Sequence, residues 1–197
     1  MSVVLVNQPK EPMAELDKRT RLIETAAKLA YERGFANTAL SGIAQEAGVP
    51  LGNIYYYFKT KAEIGEAIIA RQVAAFEAQR IDWERAETPK GRLRALVQTT
   101  IDNRGMLAQR GCPVGSLCAE LHKGDSVLAE AARRPFAKLL AWIESQFEAL
   151  GEGEEKQGQA LHLLSALQGV SLLANSFHDP DLVISEGDRL KSWIGSL

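Results

Sequence analysis

Residues 38–61 read TALSGIAQEAGVPLGNIYYYFKTK. Two short helical patterns in this stretch are separated by Gly48-Val49-Pro50, and the second contains three consecutive tyrosines. Two short helices joined by a tight, glycine-containing turn are typical of a helix-turn-helix, whose second helix enters the DNA major groove. The stretch therefore predicts a helical, DNA-binding unit near the N-terminus.

The residue types on the second helix favour contact with DNA. Ile54 and Phe58 belong to an apolar face that holds the two helices together, whereas Asn53 and Tyr55–Tyr57 lie outside it. Asparagine can bond the edge of an adenine, tyrosine hydroxyls donate to phosphates, and tyrosine rings pack on sugars or thymine methyls. Three adjacent helical residues cannot all face inward, so the tyrosines are more than core, although we expect one of them to pack inward.

The residues around this helix fit the same use. Gly52 allows a close approach of the backbone to DNA. Lys61 adds positive charge at the start of the next helix, where free amides already favour an anion. Thr38 and Ser41 can donate to phosphates from the preceding helix. Without the surrounding motif, Lys61 would be explained equally well as a solvated surface lysine.

Residues 20–69 closely resemble the N-terminal DNA-binding domain of TetR-family transcriptional regulators. The resemblance is carried by these residues: Gly34-Phe35, Thr38, Ile43-Ala44, Ala47-Gly48-Val49, Gly52, Ile54-Tyr55, Tyr57-Phe58 and Lys59-Thr60-Lys61. By resemblance, the following fall on positions that commonly contact DNA: Thr38, Ser41, Leu51, Gly52, Asn53, Tyr55, Tyr56, Tyr57 and Lys61. The family usually has a capping Ser at Pro50, a polar or basic residue at Leu51, and Thr or Ser at Asn53. The operator sequence therefore cannot be transferred.

The resemblance implies a dimeric, all-helical protein whose larger C-terminal domain binds a small molecule. We therefore expect a homodimer that represses transcription from a near-palindromic double-stranded DNA operator and releases it when a small-molecule inducer binds. The two recognition helices would read successive major grooves. The ligand would move the fourth helix, which joins the two domains. The sequence leaves open the inducer, the operator, the number of dimers bound, and whether the protein represses or activates.

Helical periodicity continues along nearly the whole chain, without convincing strand alternation. We predict a loose arm over residues 1–13, a DNA-binding domain over 14–62, and a ligand-binding and dimerisation domain over 63–197. Longer helices are predicted over about 16–33, 60–80, 91–107, 126–150 and 156–177, with a kink at Pro135 in the fourth of these. A short helix is predicted over about 51–57, and a turn over 151–154. Thr38 is expected to cap the second helix of the chain, and Thr60 with Glu63 to form a capping box.

Composition restricts the class of protein only mildly. The chain has 197 residues and a formal net charge of −2, with 8 Lys/Arg and 6 Asp/Glu in residues 1–61. This weak asymmetry fits a DNA-binding head on an acidic body. No apolar run reaches the roughly 18 residues of a membrane span, and two cysteines make no disulfide framework, so we expect a cytoplasmic protein. No cofactor is expected.

Cys112 supports an alternative hypothesis, a repressor that senses oxidants or electrophiles through a thiol. Arg110–Leu121 resembles a segment of a TetR subgroup in which Gly-Cys-Pro opens a helix. A thiol near a helix N-terminus has a lowered pKa and a more reactive thiolate. A buried cysteine at a turn is the other explanation. Cys118 and His122 add neither a common zinc spacing nor a catalytic arrangement, so neither a metal site nor an enzyme is expected.

Candidates for the ligand pocket and the dimer interface come from the apolar patterns of the C-terminal half. The pocket candidates are Phe76, Trp83, Met106, Cys112, Leu117, Phe136 and Trp142. The interface candidates are Leu161, Leu164, Ser165, Gln168, Gly169, Leu172, Leu190 and Trp193. For each of them, packing within one chain is the competing explanation. A further alternative is a module that binds DNA phosphates without reading bases. Its DNA affinity would depend steeply on salt concentration, and it would have no preferred site.

Overall fold

The computed structural model describes residues 17–123, 126–151 and 156–197, and at residues 126 and 127 it describes the backbone alone. Within these ranges the chain forms eleven α-helices and no strand. They are α1 (Lys18–Arg33), α2 (Leu40–Glu46), α3 (Leu51–Tyr57), α4 (Lys61–Trp83), α5 (Pro89–Asp102), α6 (Arg104–Arg110), α7 (Pro113–Leu121), α8 (Ser126–Ala132), α9 (Arg134–Glu148), α10 (Lys156–Phe177) and α11 (Asp181–Ser196). The predicted arm, the predicted helix start at residue 16, and residues 152–154 of a predicted turn lie outside the described residues.

The all-helical prediction is confirmed, and two predicted helices are each divided in two. The helix predicted over 91–107 ends at Asp102, because the backbone of Asn103 leaves the helical conformation. The side-chain amide of Asn103 donates to Thr99 O at 2.7 Å. The helix predicted over 126–150 breaks at residue 133 instead of bending at Pro135. Proline has no N–H for the preceding turn, and it is tolerated in the first turn of the new helix α9.

The chain divides into two compact units. Among the described residues, unit 1 comprises those up to Ala75 together with those of Ser116–Pro135, and unit 2 comprises those of Phe76–Gly115 and Phe136–Leu197. Unit 1 is therefore larger than the predicted DNA-binding domain of residues 14–62. The additional segments contribute Ile64, Ile68 and Leu117 to the same buried core as the helix-turn-helix.

Unit 1 is built around fully buried side chains of α1 to α4. Leu22, Ile43, Ile54 and Ile64 are each 0% exposed. Asp17 caps α1 by accepting from Arg19 N and Thr20 N at 2.8 and 3.0 Å. Burial of such aliphatic side chains contributes about 1.5–3 kcal/mol each, so this core fixes the helix-turn-helix.

Unit 2 packs the end of α4 with α5, α9, α10 and α11 around a second core, and α6 packs with α10 and α11 in a smaller cluster. Leu93, Val97, Ile143 and Leu163 are each 0% exposed. Helices α5 and α11 approach closely at Gly187, where an added Cβ would lie 2.6 Å from the Ile101 side chain. Any larger residue at position 187 would therefore force the Ile101 side chain to move.

Among the described residues, α10 is the one helix long and apolar enough to cross a membrane by length and composition. Its apolar window has a mean hydropathy of 1.2, and 39% of that window is buried. The core helix of a globular protein passes the same test, and Leu163 and Ala174 of α10 lie in unit 2 cores. The composition of α10 is therefore weak evidence for a membrane span.

Candidate functional site

Helix α3 exposes most of the residues that were predicted to contact DNA. It spans Leu51–Tyr57, as predicted, and Ile54 anchors it with 0% exposure. Leu51 is 49%, Tyr55 46% and Tyr56 75% exposed, although large apolar or aromatic side chains usually lie inside. Gly52 is exposed and Asn53 is partly exposed. The helix therefore presents a continuous face of large side chains to solvent.

Tyr57 is the tyrosine that packs inward. It is partly buried against the unit 1 core. Its ring meets the Tyr56 ring edge to face, with the centroids 5.0 Å apart and the planes at 87°. Tyr57 thereby supports the exposed ring of Tyr56.

The turn between α2 and α3 is fixed by the backbone. Gly48 adopts a φ of +62°, which favours glycine. Val49 N donates to Ala44 O at 3.0 Å, and Asn53 N donates to Pro50 O at 2.8 Å. Pro50 occupies the N-cap position of α3 and makes no side-chain cap bond, as the sequence led us to expect.

Thr38 does not cap α2, and that prediction is wrong. Ala39 is the N-cap residue, and the Thr38 hydroxyl donates to Gly34 O at 2.8 Å, back toward the end of α1. Only 4% of Thr38 is exposed, so its side chain is committed to this loop. Ser41, one turn further, is exposed.

Lys61 is engaged by its own chain. Its Nζ donates to Ala36 O at 2.6 Å and lies 5.0 Å from the centroid of the Phe35 ring. An ammonium group has three donors, so these contacts leave capacity for a phosphate. Ala36 has a second partner, because its N–H donates to Glu120 Oε2 at 3.2 Å. Glu120 could not be predicted as this partner, since 84 residues separate it from Ala36.

The capping box at α4 is formed in part. Thr60 Oγ1 accepts from Glu63 N at 3.1 Å, as predicted. The Glu63 carboxylate accepts from Lys59 N at 2.8 Å rather than from Thr60 N. Lys59 Nζ donates to Tyr55 O at 2.7 Å, so the start of α4 is tied to the end of α3.

The predicted pocket residues fall into three separate cores. Phe76, Trp83 and Trp142 lie together in unit 2, with centroid distances of 6.1 Å and 5.0 Å along the series. Phe136 packs against the same cluster. Both indoles are anchored, since Trp83 Nε1 donates to Thr99 Oγ1 at 2.8 Å and Trp142 Nε1 donates to Glu84 Oε1 at 3.0 Å.

The remaining pocket candidates lie elsewhere. Met106 and Cys112 pack against a second unit 2 cluster that contains Leu107 and Val170. Leu117 is buried in the core of unit 1. Four of the seven residues thus share the cluster around Trp83, two share the second cluster of unit 2, and Leu117 belongs to unit 1.

Cys112 lies immediately before α7, and burial there disfavours the charged form of its thiol. Burial raises the pKa of the Cys112 thiol, and hydrogen bonds from the Gly115 and Val114 amides and from Gln168 offset this in part. The Sγ accepts from Gly115 N at 3.4 Å, as the side chain of an N-cap residue does. Desolvation outweighs the helix N-terminus here, and this direction favours the explanation of a buried cysteine at a turn over that of a reactive thiol.

The Cys118 side chain of α7 lies next to His122, the residue that follows the helix, with Sγ and Nδ1 3.7 Å apart. Burial raises the pKa of the Cys118 thiol, and the positive charge of Arg133 opposes this. Across residues 17–123, 126–151 and 156–197, no group of three or more His, Cys, Asp or Glu side chains is arranged to hold a metal ion.

The interface candidates separate into exposed and buried residues. Leu161 and Leu172 are 56% and 66% exposed, and Ser165 is also exposed. Gln168, Gly169 and Trp193 are partly buried, with the Trp193 ring 5.0 Å from that of His162. Leu164 and Leu190 lie in the unit 2 core of their own chain. Two exposed side chains that the sequence analysis missed extend the same face: Leu173 and Phe177.

Comparisons with known proteins agree with this geometry. Residues 22–68 match the tetR family of bacterial regulatory proteins. The HTH-type transcriptional repressor NemR of Escherichia coli is 30% identical over 171 residues, covering 82% of this chain and 83% of NemR. An HTH-type regulator of Lactococcus lactis is 27% identical over 179 residues, covering 88% and 91% of the two chains. A TetR regulator of Legionella pneumophila has the same fold, with a TM-score of 0.79, 17% identity, and 92% and 97% coverage.

The chain belongs to the TetR family of transcriptional regulators. The predictions of a DNA-binding regulator and of a protein that is not an enzyme are confirmed, because this family consists of regulators. Regulators of this family bind DNA operators, and they typically act as homodimers that respond to small molecules. The comparisons do not support a separate Gly-Cys-Pro subgroup.

Proposed function

We propose that this protein is a cytoplasmic, homodimeric repressor that binds a near-palindromic operator and releases it when a small molecule binds. The exposed face of α3, with Tyr56 at 75% exposure beside Asn53 and Tyr55, carries the proposal. The name of its relative NemR, a transcriptional repressor, supports repression rather than activation.

Recognition of the operator would combine reading of bases with grip on the backbone. The partly exposed Asn53 can bond a base edge, and Leu51 can contact a thymine methyl. Tyr55 and Tyr56 can donate to phosphates, and Ser41 of α2 and Lys61 of α4 would contact the sugar-phosphate backbone of the DNA. Thr38 and Tyr57 are partly or fully buried, so we assign them to shaping this surface.

The dimer would be formed by the exposed face of α10. Leu161, Leu172, Leu173 and Phe177 leave a large apolar area in water, which a second copy of the chain can cover. Ser165 and Gly169 would allow close approach of the partner helix. A symmetric dimer would place two copies of α3 about 34 Å apart, one helical turn of DNA.

The inducer would act on residues 63–197, and we propose the aromatic group around Trp83 and Trp142 as its binding region. A ligand releases DNA only if it binds the DNA-incompetent state more tightly than the competent one. The raised pKa of Cys112 favours this non-covalent switch over the thiol-based alternative.

The test is binding to the DNA upstream of the coding region, measured by fluorescence anisotropy against a scrambled duplex at near-physiological salt. We expect a preference of about 10³-fold or more. Asn53→Ala should remove most of the preference, whereas Ile81→Ala, a change at an exposed residue of unit 2, should leave it intact. Binding without preference to every fragment in a genome-wide selection would contradict the proposal and identify a non-specific phosphate-binding module.

A further inference from the structure

In the loop between α1 and α2, the backbone N–H and the backbone C=O of Ala36 are both hydrogen-bonded to side chains of other helices. Ala36 N–H donates to Glu120 Oε2 of α7 at 3.2 Å, and Ala36 C=O accepts from Lys61 Nζ of α4 at 2.6 Å. We propose that this arrangement, the Ala36 clamp, makes Glu120 a positioning residue for operator binding. Its carboxylate would hold the loop where α2 and α3 can engage DNA.

The Glu120 carboxylate is fitted to the loop at a second point. Gly34 adopts a φ of +86°, and a Cβ added there would lie 3.2 Å from both Glu120 carboxylate oxygens. The absence of a side chain thus allows the carboxylate to approach the backbone on either side of Phe35. A charged acceptor on a backbone amide makes a stronger bond than a neutral acceptor does.

The loop leads directly into the DNA-contacting surface. Gly34 O accepts from the Thr38 hydroxyl at 2.8 Å, and α2 begins two residues later at Leu40. Because α2 braces α3, displacement of the loop would displace the exposed tyrosines. The two side chains of the clamp belong to α4 and α7, and each of these helices includes residues of both units. This inference rests on the proposed operator binding.

Matched substitutions can separate the hydrogen bond from the charge. Glu120→Met keeps the length of the side chain and removes both charge and acceptor, whereas Glu120→Gln removes the charge and keeps a carbonyl acceptor. Loss of a negative charge by itself should strengthen binding to DNA. We therefore expect Glu120→Gln to bind the operator at least as well as wild type, and Glu120→Met to bind about fivefold to tenfold more weakly. Glu120→Ala serves as a second variant without an acceptor.

Amide hydrogen exchange in the full-length protein provides a readout that needs no DNA. We expect faster exchange at Ala36 in Glu120→Met and Glu120→Ala than in Glu120→Gln, with equal melting temperatures. Equal exchange and equal operator affinity in the Met and Gln variants would overturn the clamp. If wild type shows no operator preference, the proposed function fails, while the exchange comparison still decides whether Glu120 holds the loop.

Discussion

Helices α3 and α10 both turn large side chains toward solvent, and the chemistry of the two faces differs. On α3 the exposed large side chains are Leu51, Tyr55 and Tyr56, with the partly exposed Asn53 beside them. On α10 they are Leu161, Leu172, Leu173 and Phe177. Hydroxyl and amide groups can bond phosphates and base edges, but aliphatic side chains gain only by leaving water. The comparison indicates that α3 fits a polar, charged partner and α10 fits a dry protein surface.

The largest expected effect comes from placing charge on the apolar face of α10. Leu172→Glu should weaken the dimer by about 100-fold or more, because an unpaired carboxylate would be buried at its centre. Operator binding should fall with it. Sedimentation velocity over a concentration series measures the change, and Ile81→Glu provides the control because Ile81 is 60% exposed outside this face. An unchanged dimer in Leu172→Glu would exclude this face as the interface.

A smaller effect is expected from the aromatic face of α3. Tyr56→Ala should reduce specific operator affinity by about 10- to 100-fold, and Tyr56→Phe should recover the part due to ring packing. Anisotropy with operator and scrambled duplexes measures both variants. If Tyr56→Ala lowered affinity for both duplexes equally, Tyr56 would bind phosphate without contributing to sequence preference. The dimer should be unaffected, in contrast to Leu172→Glu.

The crossing of α5 and α11 offers a test that neither surface should influence. Gly187→Ala should destabilise the fold by about 1–3 kcal/mol, since the new Cβ would lie 2.6 Å from Ile101. Gly158→Ala is the matched control, because nothing lies within 4 Å of a Cβ there. Helix propensity should make that control neutral or slightly stabilising. Thermal unfolding would show whether Gly187→Ala falls below the control, and equal melting temperatures would refute the close crossing.

The smallest effect concerns the Cys112 thiol. Its pKa is raised in the folded protein, so the folded state holds its proton more tightly than the unfolded chain. This contribution to stability is complete below the ordinary thiol pKa and is lost as pH rises above it. Cys112→Ala should therefore flatten the fall in stability under alkaline conditions, as measured by chemical unfolding at several pH values.

Alkylation at neutral pH gives an independent measurement on the same thiol. Cys112 should react with iodoacetamide about tenfold or more slowly than a free thiol, because its thiolate is disfavoured. Rapid, selective alkylation of Cys112 would instead revive the thiol-sensing alternative. In the Cys118→Ser variant Cys112 is the remaining cysteine of the two, so alkylation there reports on Cys112 alone.

The sequence was most informative where structure is local. The bounds of α3, its exposed face and its short turn follow from residues within about one or two helical turns of one another, so periodicity and Gly48 sufficed to predict them. The same reasoning correctly placed α10 over residues 156–177. It misjudged the breaks at Asn103 and residue 133, where a side-chain bond and a proline without N–H compete with helix continuation.

By itself, the sequence determined the all-helical fold, the helix-turn-helix and the family, because these depend on helical period and on a contiguous motif. Only the tertiary structure decided which apolar residues remain exposed: Leu164 and Leu190 are buried, whereas Leu173 and Phe177 are not. It also brought Glu120 to Ala36 across 84 residues. Such contacts depend on how distant helices pack, and no local pattern encodes that packing.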